Sequence, residues 1–362
     1  QLTVTRTLAY TATVLRLYLY NDATQQGWFD DAAISVTALT VGTTVCFAEF
    51  NDVLYASFGK VFGKLNGTGT AFTLLFYFPA TITDLEPFTD NRLYIALGLS
   101  DEYYYMSTAE AFTESTATVN KFKYFKTVHS ATPTMWGNDS VNTIRSTIAP
   151  QNGGTAWSGQ TTVASSYHDI TGLQTDAGAL YITKEDMPYY LNSSGAVQND
   201  LAPELDALSK STDNGKNSIF WLAKFYLPWG SQVLLENDAG VNTWRSPALF
   251  VTTAPEYNGQ VFAVAGDDQF LFAILDYSTK IEVMAGRLEV IDSSTNWVWH
   301  CINETTLTGC ETAFVSSIYQ KRLWIASTAS GDSLYYIPLP TGYGDVASDA
   351  NRSFLTGTTM ET

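Results

Sequence analysis

Residues 80–115 read ATITDLEPFTDNRLYIALGLSDEYYYMSTAEAFTES, and this stretch decides the fold. An apolar strand leads to a turn at Asp90-Asn91, then to a strand around Leu93-Tyr94, then to the Tyr-rich run EYYYMST and a polar tip. Leu93, Ile95 and Leu97 alternate with Tyr94 and Ala96, so the two sets lie on opposite faces of one strand. Both sets are apolar or aromatic, so the sheet must be covered on both sides. Asn and Asp at the turn accept positive φ or bond their own backbone, as tight hairpins require.

The same order of parts returns in SSYHDITGLQTDAGALYITKEDMPYYLNSSGAVQND (165–200) and in FVSSIYQKRLWIASTASGDSLYYIPLP (314–340). Weaker copies run through FAEFNDVLYASFGKVFGKLNG, SIFWLAKFYLPWGSQVLLENDAGVNTW and TTAPEYNGQVFAVAGDDQFLFAILD, and the loosest, TPTMWGNDSVNTIRST, surrounds Met135. The strand anchors are Leu54-Tyr55, Leu93-Tyr94, Met135-Trp136, Leu180-Tyr181, Phe225-Tyr226, Val261-Phe262 and Leu323-Trp324, with successive gaps of 39, 42, 45, 45, 36 and 62 residues. All-strand repeats of about 40–50 residues mark a β-propeller, whose blades stack because none can bury its own faces. The expectation is an all-β propeller of about seven blades, each an antiparallel four-stranded sheet; six and eight blades also suit the spacing.

The long last gap predicts an added hairpin within 283–317. No Gly/Ser linker or charge run divides the chain, so residues 1–362 read as a single propeller domain. TVTRTLAYTATVLRLYLY, near the start, is expected to close the ring against the last blade. The final string LTGTTMET reads as polar and without a closing strand, and both ends read as cut from a longer polypeptide or as a processed form. Leu201, Leu205 and Leu208 predict one short helical turn within Leu201–Ser211.

Aromatic residues make up 14 % of the 362 residues, a bias that suits half-buried pleated surfaces. The 36 acidic and 19 basic residues give a net charge of −17. Such a surface argues against nucleic acid, which needs cations to displace counterions, and against anionic membranes. No run approaches the roughly 18 apolar residues of a membrane-spanning helix. Three cysteines leave the redox compartment open. Cys301 and Cys310 bracket CINETTLTGC, which reads either as a disulfide-closed hairpin or as two unpaired small hydrophobes. Cys46, in TTVCFAEF, reads as a core residue.

Few residues suggest chemistry. His129, His168 and His300 lie in different repeats without acidic or Cys partners at ligand spacing, so no metal site is expected. Neither a nucleophile elbow nor a phosphate-binding Gly-rich loop is present, and the arginines are thinly spread. Paired carboxylates could serve a propeller glycosidase, and Asp101-Glu102, Glu185-Asp186 and Asp267-Asp268 are the candidates. The first two pairs occupy equivalent places in two blades, which predicts a loop role. Glu236–Gly240 (ENDAG) and AGDDQ lack calcium-loop spacing. Sequons at Asn66, Asn138, Asn192, Asn303 and Asn351 match chance in so Ser/Thr/Asn-rich a chain. No catalytic residue and no cofactor is therefore expected.

Two resemblances bear on family. TIRSTIAPQNGGTAWSG resembles a degenerate Asp-box of sialidase-like propellers, with Ser146, Gly154, Thr155 and Trp157 in the matching places; the Asp position is otherwise occupied and the loop is longer. That box implies a structural turn, not an activity. The textures NRLYIALG…YYYMS, GALYITKED…YYLNSSGAVQNDLAPEL, STDNGKNSIFW…FYLPWG and KRLWIAST…SLYYIPLP, spanning roughly Asp52 to Pro340, look like propeller-type virion proteins of tailed bacteriophages. The resemblance implies a non-enzymatic part of the virus particle, in the tail or its fibres. It also implies oligomeric contacts with other virion subunits and a platform for host-surface glycan or protein. A lectin-like adhesin and a propeller glycosidase are the alternatives.

Overall fold

The computed structural model describes residues 44–115, 121–176, 178–230, 233–247, 260–277, 279–291, 293–327, 333–339, 356–358 and 360–361. They form seven antiparallel sheets in which neighbours in sequence are neighbours in space. Blade one holds β1 (Val45–Phe50), β2 (Val53–Phe58), β3 (Val61–Leu65) and β4 (Phe72–Tyr77). Blade two holds β5 (Asp84–Phe88), β6 (Arg92–Ala96), β7 (Tyr104–Ser107) and β8 (Phe112–Glu114). Blade three holds β9 (Phe125–Val128), β10 (Thr134–Asn138), β11 (Thr143–Thr147) and β12 (Thr161–Thr162). Blade four holds β13 (Ile170–Thr175), β14 (Leu180–Lys184), β15 (Pro188–Leu191) and β16 (Val197–Gln198). Blade five holds β17 (Ile219–Trp221), β18 (Lys224–Trp229), β19 (Val233–Asp238) and β20 (Val241–Trp244). Blade six holds β21 (Gln260–Gly266), β22 (Leu271–Asp276), β23 (Ile281–Ile291) and β24 (Ser294–Thr305). Blade seven holds β25 (Cys310–Ser316), β26 (Arg322–Ser327), β27 (Ser333–Pro338) and β28 (Thr356–Thr358).

First strands of successive blades adjoin one another around the centre, and β25 adjoins β1, so the ring closes. The tight turns use the residues expected of them. Asn51 and Asp52 both have positive φ, 50° and 59°, which lets a two-residue turn follow the twist of β1 and β2. Between β5 and β6, Asn91 sits at φ 60° while the Asp90 carboxylate accepts from Arg92 Nη1 and from the Tyr94 hydroxyl.

The core is divided among the gaps between blades, as the two-faced strands demand. Leu93, Ile95 and Leu97 pack with Tyr55 and Phe62 of blade one, whereas Tyr94 and Ala96 pack with Phe125 and Met135 of blade three. Corresponding clusters fill the other five gaps, including the seam where Trp324 and Ala326 meet Leu54 and Ala56.

Six of the seven anchors lie on second strands; Val261-Phe262 lies one strand early, on β21. The equivalent pair is Leu271-Phe272, 46 residues after Phe225 and 52 before Leu323, so the uneven gaps disappear. The first strand VFAVAG is as apolar as the second because neighbouring blades bury both, and pattern cannot distinguish them. The surplus within 283–317 forms a hairpin extension continuous with the blade's own strands. It lengthens the blade's own β23 and β24 to 11 and 12 residues. Strand β22 pairs only as far as Gly286, so Arg287–Ile291 and Ser294–Val298 extend as a two-stranded arm.

The proposed closing segment TVTRTLAYTATVLRLYLY lies outside the described residues. The outer described strand of blade seven is β28, within the string expected to lack a strand, and β29 (Met360–Glu361) runs parallel to β4. Helical structure among the described residues is limited to 3-10 segments at Pro150–Ala156 and Pro203–Ala207, the second inside the expected turn at Leu201–Ser211. No helix among them is long and apolar enough to cross a membrane.

Candidate functional site

Alternating strand direction sorts the loops. Starts of first strands, turns between second and third strands, and crossovers between blades share one end of the ring; the remaining turns share the other. At the first end a cavity of about 350 Å³ opens on the axis. Its walls come from β1 (Cys46, Phe47), β5 (Asp84), the approach to β9 (Lys123, Tyr124), β13 (Gln174), the loop before β17 (Asp213, Lys216) and β25 (Glu311, Phe314).

Local structure sets these positions. Asp84 and Glu86 are two residues apart on β5 and share a face, while Leu85 turns to the opposite gap. Inner strands are sheet edges, so some of their backbone N–H groups find no partner on a neighbouring strand of the same blade. The Asp84 carboxylate accepts from Phe125 N at 2.7 Å and Glu86 accepts from Thr127 N at 2.8 Å, joining β5 to β9. Lys126 pairs with Glu86 at 3.3 Å. Strand β17 starts late, so the preceding loop stands at the mouth and reaches across it. Asn217 Nδ2 donates to the carbonyls of Phe262 and Glu311, at 3.3 and 2.9 Å, and Lys216 pairs with Glu311 at 3.3 Å.

Enclosure dominates the electrostatics. Burial raises the Asp84 carboxyl to about 6 despite Lys126 and two N–H donors. Burial likewise raises Glu311, with Lys216 opposing, and lowers the Lys123 ammonium, with Asp169 opposing. Tyr124 is raised by burial and then by Asp84. Cys46 is pushed up to about 12 by burial and then by Asp84, so it is an unreactive thiol. Perturbed groups gathered in a concave site make this mouth the candidate functional site. The sequence signal was TDLEPF, two acids at alternate positions of a core strand; Lys123, Asp213 and Glu311, distant in sequence, had none.

The residues singled out from sequence fall elsewhere. Glu185-Asp186 and Asp101-Glu102 occupy the turns between second and third strands of blades four and two, as their equivalence predicted. Glu185 meets His168 at 3.4 Å and Asp186 accepts from the Tyr189 hydroxyl at 3.0 Å. Asp267-Asp268 lies at the opposite end, where Asp267 accepts from Gln269 N and Phe270 N and both carboxylates hold Lys321. Glu236 of ENDAG is taken by Arg245, Lys224 and Tyr226 inside blade five, and Asn237 by Leu201 O and Asn242. His300 pairs with Glu289 at 3.3 Å on the extended arm, and His129 follows β9. Cys301 and Cys310 are free thiols. The stretch between them is not a hairpin but the crossover from the outer strand of blade six to the inner strand of blade seven, leaving one thiol exposed and the other buried. TIRSTIAPQNGGTAWSG links the third and fourth strands of blade three, with Trp157 packed on Phe122 and Tyr103.

No protein-family model and no curated protein matches the sequence. Among solved structures the chain is similar to virginiamycin B lyase from Staphylococcus aureus, at 10 % identity, TM-score 0.57, covering 79 % of this chain and 92 % of that one. It is similar to the extracellular domain of a hybrid two-component system from B. thetaiotaomicron, at 12 % identity, TM-score 0.57, covering 82 % and 38 %. It is also similar to PorZ, a bacterial surface component of the type-IX secretion system of Porphyromonas gingivalis, at 9 % identity, TM-score 0.50, covering 90 % and 39 %. At such identity the likeness establishes the propeller fold alone.

Proposed function

We propose that the chain is a non-enzymatic structural component of a virus particle, a phage tail or fibre subunit whose propeller is a contact platform. Its partners are other virion subunits in an oligomer and a glycan or protein of the host surface. The observation that carries this reading is the β23–β24 arm, which projects past the four-stranded part of blade six. It leaves Leu288 and Val290 49 % and 75 % exposed. A projecting apolar element on an otherwise closed ring suits a docking contact. The virion part rests on the blade texture from Asp52 to Pro340. The non-enzymatic part is supported by carboxylates already engaged: Asp267 with Lys321, Glu236 with Arg245, and Glu311 with Lys216.

The test is mass spectrometry of purified, nuclease-treated virus particles from the source. Peptides of this chain in stoichiometric amounts support the reading. Their recovery only in the soluble fraction of the lysate overturns it.

A further inference from the structure

We propose that the axial cavity binds a neutral sugar ring, a single hexose or the end unit of a disaccharide. This rests on the reading of the chain as a contact platform and names the ligand that one face of the platform holds. A volume of about 350 Å³ lies at the lower end of small-molecule sites, about 300–1,000 Å³.

The polar groups of the wall divide into those engaged and those free. Lys126 and Lys216 are paired with Glu86 and Glu311, and Asp84 is engaged by backbone N–H groups. Among the described residues the Lys123 ammonium makes no hydrogen bond or ion pair, lying 5.0 Å from the Tyr124 ring centroid with Asp169 acting on it at longer range, and no hydrogen bond or ion pair engages the Asp213 carboxylate, the Tyr124 hydroxyl or the Gln174 amide. An ammonium only donates, a carboxylate only accepts, and the phenol and amide do both. Vicinal hydroxyls of a pyranose match such a set, because each donates and accepts at once.

Charge selects against an anion. Lys126 is neutralised by Glu86 and Lys216 by Glu311, and Lys123 shares the wall with the carboxylates of Asp84 and Asp213, so an anionic ligand gains no net attraction there. An anion must also approach a protein of net charge −17. The stacked pair Phe47 and Phe314, 5.8 Å apart, and the Tyr124 ring supply an apolar side for the C–H face of a sugar.

The experiment is saturation-transfer NMR and calorimetry on the whole chain. The probes are methyl β-galactoside, methyl β-glucoside, N-acetylglucosamine and lactose, with glucuronate, glucosamine and inorganic phosphate as charged controls. At least one neutral sugar should bind saturably. Lys123→Met and Asp213→Asn should each weaken it about tenfold, as expected for one lost hydrogen bond to a charged group, at unchanged thermal midpoint. Tyr124→Phe, which keeps the ring, serves if either variant misfolds. No saturable neutral sugar, a preference for a charged probe, or undiminished affinity in all three variants overturns the proposal. Recovery of the chain from particles does not depend on this result, so the two readings fail separately. Hydrolysis of lactose would overturn the non-enzymatic reading and leave the site standing.

Discussion

Asp84 shows how one residue can hold a ring together and make it sensitive to pH. Its carboxylate satisfies Phe125 N and Leu85 N, yet burial lifts it from 3.8 to about 6. The folded protein therefore holds a proton there more tightly than the unfolded chain. The contribution to stability is full below about pH 4 and is lost as the pH rises through 6. At about 1.4 kcal/mol per pKa unit the loss is at most about 3 kcal/mol, less where cavity water reaches the group. Urea denaturation between pH 4 and pH 7 should show the wild type losing stability relative to Asp84→Asn across that window. A constant difference would refute the assignment. The sequence shows only two acids at alternate positions of TDLEPF, and the N–H that Asp84 engages lies 41 residues away.

Elements are more legible than single residues, and the anchor displaced to the first strand of blade six is instructive. Second strands such as Arg92–Ala96 announce themselves because flanking turn residues and two apolar faces leave no other element possible. In blade six the first strand imitates the second, because burial by both neighbours imposes the same composition. The length of β23 and β24 could not be read from spacing either, since the gap counts residues without saying which strands absorb them. The arm gives the prediction at this scale. Replacing 289–296 by Asn-Gly joins Leu288 to Trp297, which are register partners, and keeps Trp297 packed on Trp221 and Tyr226. Scanning calorimetry should find the thermal midpoint within a few degrees of wild type, because the deleted tip is mostly exposed. Co-sedimentation with partner subunits should be lost if the arm is the contact.

The whole molecule depends on its seam, where blade seven meets blade one. Arg322 lies 4.0 Å over the Tyr336 ring, 5.0 Å over Tyr319 and 5.6 Å over Trp324, and donates to Gly69 O across the seam. Gly69, at φ +67°, has no alternative there: a Cβ would come within 2.2 Å of the Tyr319 ring. Arg322→Ala removes the cation from three rings and leaves a buried carbonyl unpaired. The expected loss is about 2–4 kcal/mol in denaturant titration, with the seam becoming the first site of limited proteolysis. Lys210→Ala, between blades four and five, breaks an exposed ion pair to Asp206 and should cost far less. Equal losses would mean that Arg322 does not close the ring.

The blade repeat, its two-faced strands and its turns were written in the order of residues, because strand period and turn chemistry act over only a few positions. Ring closure, the lengthened arm and the axial cavity were not. They join Asp84 to Phe125, Lys216 to Glu311 and Arg322 to Gly69, contacts that exist only once the blades have stacked around an axis. Local pattern specifies a blade; the charges that meet at the mouth are selected by the number of blades and the offset of β17, which no local pattern encodes.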